Sequence, residues 1–151
     1  QDLPAAVQSA VFSPDGGEVL TSSRDGTARL WSAASGRWLR TLEGHPGVLQ
    51  SASFSPCGRL ALTCSWDGTA RAWSSASGEC LCSLEGHRAA LQAAAFSPCG
   101  RRVVTCSEDG TAKIWSVDPA RCLRTLASHR ATVQSAAWSP DGGEVLTASL
   151  D

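Results

Sequence analysis

The sequence predicts an all-β fold built from stacked copies of one four-stranded antiparallel unit. Three observations predict it. The stretch Ser65-Trp66-Asp67-Gly68-Thr69-Ala70-Arg71-Ala72-Trp73 recurs at 23–31 and at 107–115, 42 residues away on either side, and a further copy begins at Ser149-Leu150-Asp151. Each unit holds four short apolar or alternating runs separated by turn residues, the pattern of a small antiparallel sheet. A sheet of about 42 residues cannot cover both of its own faces, so the copies must stack. A length of 151 residues would otherwise read as one globular domain; the period replaces that with three complete units and half of a fourth.

The second unit shows the elements in order. Residues 48–54 form the first strand, and Ser55-Pro56-Cys57-Gly58 is the turn after it, Pro presetting φ and Gly accepting the closing conformation. Leu60–Ser65 is the second strand and 69–73 the third; Ser75-Ala76-Ser77-Gly78 turns into a fourth at 79–84. The first unit repeats this from Val7 and the third from about Leu91, with Val117-Asp118-Pro119-Ala120 in place of the Ala-Ser-Gly turn. A fourth unit supplies Val133–Trp138, the turn Ser139-Pro140-Asp141-Gly142 and a second strand ending near Ser149. The units fall at approximately 5–43, 46–85, 88–127 and 130–151. No segment reads as a helix. With Gln at position 1 and a half unit at the end, the chain is expected to be a piece of a longer protein.

A net charge of −1, with arginines and acidic residues interspersed, argues against a nucleic-acid or membrane surface, since both need a concentrated basic patch. No apolar run is long enough to span a bilayer, and no secretory signal opens the chain. Six of the seven cysteines fall in three repeat slots, Cys57 with Cys99, Cys64 with Cys106, and Cys80 with Cys122, while Cys82 stands alone. An odd total spread over equivalent positions predicts free thiols in a reducing, intracellular compartment, the cytoplasm before the nucleus. Cys80-Leu81-Cys82 lacks zinc-ligand spacing, so neither metal nor cofactor is expected.

The turn itself admits two readings. A three-residue loop Trp66-Asp67-Gly68 with Gly68 in the left-handed region puts Thr63, Ser65 and Trp73 on one face. A two-residue Asp67-Gly68 hairpin puts Trp73 on the opposite face from Thr63, because side chains alternate along a strand.

Gly44-His45 and Gly86-His87, the turns Phe54-Ser55-Pro56 and Phe96-Ser97-Pro98, and Asp-Gly turns followed five residues later by Trp31, Trp73 and Trp115 recur at fixed spacing. In these residues the sequence resembles the WD-repeat β-propeller family over essentially its whole length. Ser32, Ser74 and Ser116 follow the tryptophans where the family has Asp; Asp2-Leu3 and Ser128-His129 stand in Gly-His positions. The resemblance implies the three-residue loop, and a buried chain joining the turn Asp, a Ser or Thr of the second strand, the Trp indole and the preceding His. In the second unit these are Asp67, Thr63 or Ser65, Trp73 and His45; in the third, Asp109, Thr105 or Ser107, Trp115 and His87. The first unit offers Asp25 and Trp31 and is expected to lack one member. An Asp–His–Ser trio invites a hydrolase reading, but a nucleophile needs one unique, pocketed copy. These sets recur with each blade, so they read as braces and the protein as no enzyme.

The resemblance also implies that partners dock on the face carrying the Asp turns. Two repeat positions match the family's contact points. Arg24, Trp66, Glu108 and Leu150 precede the turn Asp and differ completely between otherwise similar units, an arginine and an exposed tryptophan being typical of binding hot spots. Gln8, Gln50, Gln92 and Gln134 lie five residues after the His slot and would line the propeller mouth with amides. Against this, copied repeats share residues without a ligand, and turn tips drift freely. Arg29, Arg71 and Lys113 read as cations lying over packed surface. Three and a half blades do not close a ring, which in such propellers takes about seven. Apolar faces and strand edges should then be open at both ends, inviting further blades of the same chain or self-association. The reading is a scaffold for partner proteins or peptides; the alternative is the sensory array of a larger signalling NTPase or kinase.

Overall fold

The computed structural model describes residues 5–151. Among the described residues, fourteen strands form three four-stranded antiparallel sheets and one two-stranded sheet. The first sheet comprises β1 (Val7–Phe12), β2 (Glu18–Ser23), β3 (Ala28–Ser32) and β4 (Trp38–Leu42), paired in that order. The second comprises β5 (Leu49–Phe54), β6 (Leu60–Ser65), β7 (Ala70–Ser74) and β8 (Cys80–Leu84). The third comprises β9 (Leu91–Phe96), β10 (Arg102–Ser107), β11 (Ala112–Val117) and β12 (Ala120–Leu126), and β13 (Val133–Trp138) pairs with β14 (Val145–Ser149). The described residues contain no helix, and so none long and apolar enough to cross a membrane.

Local chemistry sets the turns. After β1, Ser13 accepts the Gly16 N–H on its carbonyl at 2.9 Å, while its hydroxyl donates to Asp15 Oδ1 at 2.6 Å and accepts from the Glu18 N–H at 2.9 Å. Between β6 and β7 the three-residue loop forms. Ser65 N–H donates to Thr69 O at 3.1 Å, and Gly68 N–H to Ser65 O at 3.2 Å, with Gly68 at φ +86°. Thr69 therefore closes the loop, and the paired third strand starts one residue later than the pattern suggests. Ala61 then faces Trp73 and Thr63 faces Arg71, so Thr63, Ser65 and Trp73 share a face. In the third sheet Val117 pairs directly with Ala120 across a cis Asp118–Pro119 peptide.

The sheets stack through three apolar layers. Leu20, Leu30 and Leu42 of the first sheet meet Leu49, Ala61, Trp73 and Phe54 of the second. Leu62, Cys64 and Leu84 meet Leu91, Val103 and Trp115 of the third. Cys106, Ala112 and Leu126 meet Val133 and Ala136. Each fully buried leucine contributes about 1.5–3 kcal/mol of hydrophobic stabilisation.

The stack is not closed into a ring. Val7 is 57% exposed where its repeat equivalent Leu49 is 0%, and Leu146 is 75% exposed where Leu62 is 1%. Phe12 is likewise exposed, whereas Phe54 packs on the first sheet. Each outer face thus presents the apolar repeat positions that seal the inner joints.

Candidate functional site

The segment linking β4 to β5 carries His45 against the second sheet. His45 Nδ1 lies 2.8 Å from Asp67 Oδ2, and Nε2 lies 2.8 Å from Thr63 Oγ1. The Trp73 indole N–H donates to that same Thr63 oxygen at 2.9 Å. Asp67 Oδ1 accepts the Thr69 N–H at 2.8 Å and the Thr69 hydroxyl at 2.7 Å. The chain is fully directed when His45 carries its proton on Nδ1: Trp73 donates to Thr63, Thr63 to Nε2, and Nδ1–H to Asp67. Of the two hydroxyls left open by the sequence, Thr63 joins this chain. Ser65 Oγ instead donates to Val48 O at 3.0 Å and accepts the Asp67 N–H at 3.1 Å.

The electrostatics agree with a neutral imidazole. Burial holds His45 below the ordinary histidine value, outweighing the opposing pull of Asp67. Burial opposes ionisation of Asp67, but the hydrogen bonds from His45 and Thr69 prevail and hold its carboxyl below the usual range.

The third sheet repeats the arrangement. His87 Nδ1 is 2.9 Å from Asp109 Oδ2, His87 Nε2 is 2.7 Å from Thr105 Oγ1, and Trp115 donates to Thr105 at 2.8 Å. Asp109 also accepts the Arg88 N–H at 3.0 Å. Against the burial that resists its charge, the bonds from Thr111, Arg88 and His87 hold its carboxyl well below the usual range. In the half sheet His129 bridges Asp151 at 3.1 Å and Thr147 at 2.9 Å, more openly. In the first sheet Trp31 donates to Thr21 at 3.0 Å, and Asp25 Oδ2 meets the Arg29 guanidinium at 3.0 Å. Asp2-Leu3, at the first Gly-His position, lies outside the described residues. The other mid-strand cations differ: Lys113 donates to Thr125 Oγ1 at 2.9 Å, and Arg71 lies against Gly44.

The Asp turns and the linking segments alternate along one face in direct contact. A Cβ on Gly26 would fall 2.5 Å from the His45 carbonyl oxygen, and one on Gly47 would fall 2.9 Å from the Asp67 amide nitrogen. Gly68 packs in the same way on His87 and Ala89, and Gly110 on His129 and Ala131. Arg24, Trp66, Glu108 and Leu150 therefore stand in a row, one per turn, all exposed.

The two expected contact sets meet each other in the second and third units. Trp66 Nε1–H donates to Gln50 Oε1 at 2.9 Å, and Gln92 Nε2–H donates to Glu108 Oε1 at 2.8 Å. All four glutamines sit where the pairing of the first strand with the second shifts, between Val7 and Ser9, Leu49 and Ser51, Leu91 and Ala93, and Val133 and Ser135. A bulge re-aims its extra side chain. The sequence contains the signal for this coupling, a glutamine at constant spacing in strands that otherwise alternate, but not the bulge itself.

Chemistry elsewhere is sparse. Among the described residues no group of His, Cys, Asp and Glu could hold a metal ion. All seven cysteines are free. Burial pushes Cys64 up to about 11 and Cys106 to about 12, as expected of packed thiols. Cys57 and Cys99 occupy the turn slot that holds Asp15 and Asp141 in the outer units, and hydrogen bonds from Ser55 and Ser97 lower these thiols. A cleft of about 660 Å³ beside Cys57, lined also by Asp15, Glu18 and Arg59, opens at the β1–β2 and β5–β6 turns. These turns lie at the strand ends opposite the Asp turns.

The WD domain, G-beta repeat family (WD40) matches the chain four times, at residues 3–32, 36–74, 78–116 and 120–151. The second and third matches each begin near the last strand of one sheet and run into the third strand of the next, and the fourth runs from β12 past β14. A 34-residue segment is 59% identical to WD repeat-containing protein 86 of Homo sapiens, covering 22% of this chain and 9% of that protein's length.

Proposed function

The chain belongs to the WD-repeat family, and from that premise we propose that it is a non-catalytic scaffold docking partner proteins or peptides on the row of Asp turns. WD repeats in general mediate protein–protein interactions, and the row of Arg24, Trp66, Glu108 and Leu150 supplies a surface for it. The observation that carries the reading is Trp66, 52% exposed yet held by Gln50. A fixed, exposed indole between a cation and an anion is the composition of an interface anchor. The Asp–His–Thr sets support the absence of catalysis: those of the second and third sheets are each satisfied by their own Trp and turn, and the set recurs in the half sheet. Free cysteines fit a reducing intracellular compartment.

Affinity purification from the source cells tests the reading, comparing wild type with Trp66→Ala/Arg24→Ala at matched folding by circular dichroism. Recovery of the principal partners is expected to fall about tenfold or more. Unchanged recovery would overturn this docking face.

A further inference from the structure

We infer that the segment docked on this face is an extended peptide whose side chains run acidic, apolar, basic at roughly three-residue intervals. This rests on the docking face proposed above and adds what that face selects. Three consecutive turns present Arg24, Trp66 and Glu108 from one repeat slot, with the linking segments packed between them. Stacked sheets lie about 10 Å apart, and a chain in the extended polyproline II form advances about 3.1 Å per residue and returns its side chains to the same side every third residue. One turn-to-turn step therefore matches about three peptide residues. An acidic side chain meets Arg24, an apolar one lies on the Trp66 ring, and a basic one reaches Glu108. The basic group also lies within reach of the indole face, where a cation is favoured. Leu150 continues the row with an apolar contact.

Two of the three contacts are preset. Gln50 holds the Trp66 indole at 2.9 Å and Gln92 holds the Glu108 carboxylate at 2.8 Å. Less side-chain freedom is lost on binding than for unsupported side chains. Opposite charges two slots apart also reject the simpler partners. A uniformly acidic tract, or a nucleic-acid backbone, meets repulsion at Glu108, and a uniformly basic tract meets it at Arg24. Charge order, not net charge, is what the face reads.

The experiment displays random peptides about twelve residues long, longer than the roughly seven-residue span required, against the immobilised protein and against Arg24→Glu/Glu108→Arg. That double variant keeps the net charge and changes only exposed side chains. Wild type is expected to select peptides with an acidic and a basic residue about six positions apart around an apolar one. The double variant should select the inverse order and bind the wild-type peptides about tenfold more weakly by fluorescence anisotropy, a difference that shrinks with salt. If both proteins select the same peptides and Trp66→Ala abolishes their binding, the docking face stands and the charge order is refuted. Selected peptides indifferent to Trp66→Ala, or no enrichment at all, refute the inference together with peptide docking at these turns.

Discussion

The first and second units share nearly the same turn segment, 23–31 against 65–73, and complete it with different partners. Asp25 grips Thr27 through its N–H and hydroxyl at 2.9 and 2.6 Å, and Asp67 grips Thr69 at 2.8 and 2.7 Å. This half of each brace is local and indifferent to what lies nearby. The second carboxylate oxygen differs. Asp25 turns to Arg29, four residues on, with the two side chains 30% and 26% exposed; Asp67 turns to His45, with 10% and 1% exposed. The ion pair ties a hairpin to itself, whereas the imidazole ties the linking segment to the sheet. The same aspartate thus bonds within a turn in one unit and across a joint in the other.

Three changes would break or sharpen this contrast. The largest effect is expected from Thr63→Val, which strands both the Trp73 N–H and His45 Nε2 in the interior. A loss of about 2–4 kcal/mol is expected by urea denaturation, against about 1 kcal/mol for Thr21→Val, where no described histidine depends on the hydroxyl. Equal losses would erase the distinction between the units.

The next effect is one of pH. His45 and His87 titrate below the ordinary 6.5 in the folded state because burial disfavours their charge. The unfolded chain therefore binds more protons in this range. Their stabilising contribution is complete above 6.5 and is lost as pH falls through the lowered folded values. Asp67 and Asp109, also lowered, act with the same sign below the ordinary 3.8. His45→Leu should cost about 2 kcal/mol near neutrality and reduce the fall in denaturation midpoint between about pH 7.5 and about pH 5.5. An unchanged pH slope would mean that the imidazole is not the titrating group. The smallest effect belongs to Arg29→Ala, a few tenths of a kcal/mol at low salt and about zero near 1 M salt. A larger, salt-resistant loss would mean that the first brace is as buried as the second.

The division into sheets was legible because it follows from the 42-residue spacing. The three-residue loop was not legible from alternation, which allows Trp73 on either face of the sheet depending on loop length; only the family resemblance pointed to it. The choice of Thr63 over Ser65 was not legible. Both point the same way from β6, and only the linking segment, which brings His45 to one and the Val48 carbonyl to the other, separates them. The pairing of Gln50 with Trp66 was hidden for another reason. It depends on a shift in pairing between Leu49 and Ser51, and a bulge leaves no mark in an apolar–polar pattern. The outermost residues read correctly as apolar, yet their identity alone does not say whether a neighbour covers them. Val7 and Val133 are the same residue, exposed at one end of the stack and buried at the other.

The joints between sheets are nearly interchangeable: Leu42, Leu84 and Leu126 meet Leu49, Leu91 and Val133 in turn. In-frame duplication or deletion of one 42-residue unit therefore leaves every remaining joint chemically intact. What such an event rewrites is the succession of residues at the turn tips. An allele that gained a copy of the second unit would read Arg, Trp, Trp, Glu, with its charges one step farther apart. Recombination among near-identical repeats can in this way produce new recognition orders without a single point mutation and without asking the fold to relearn its packing.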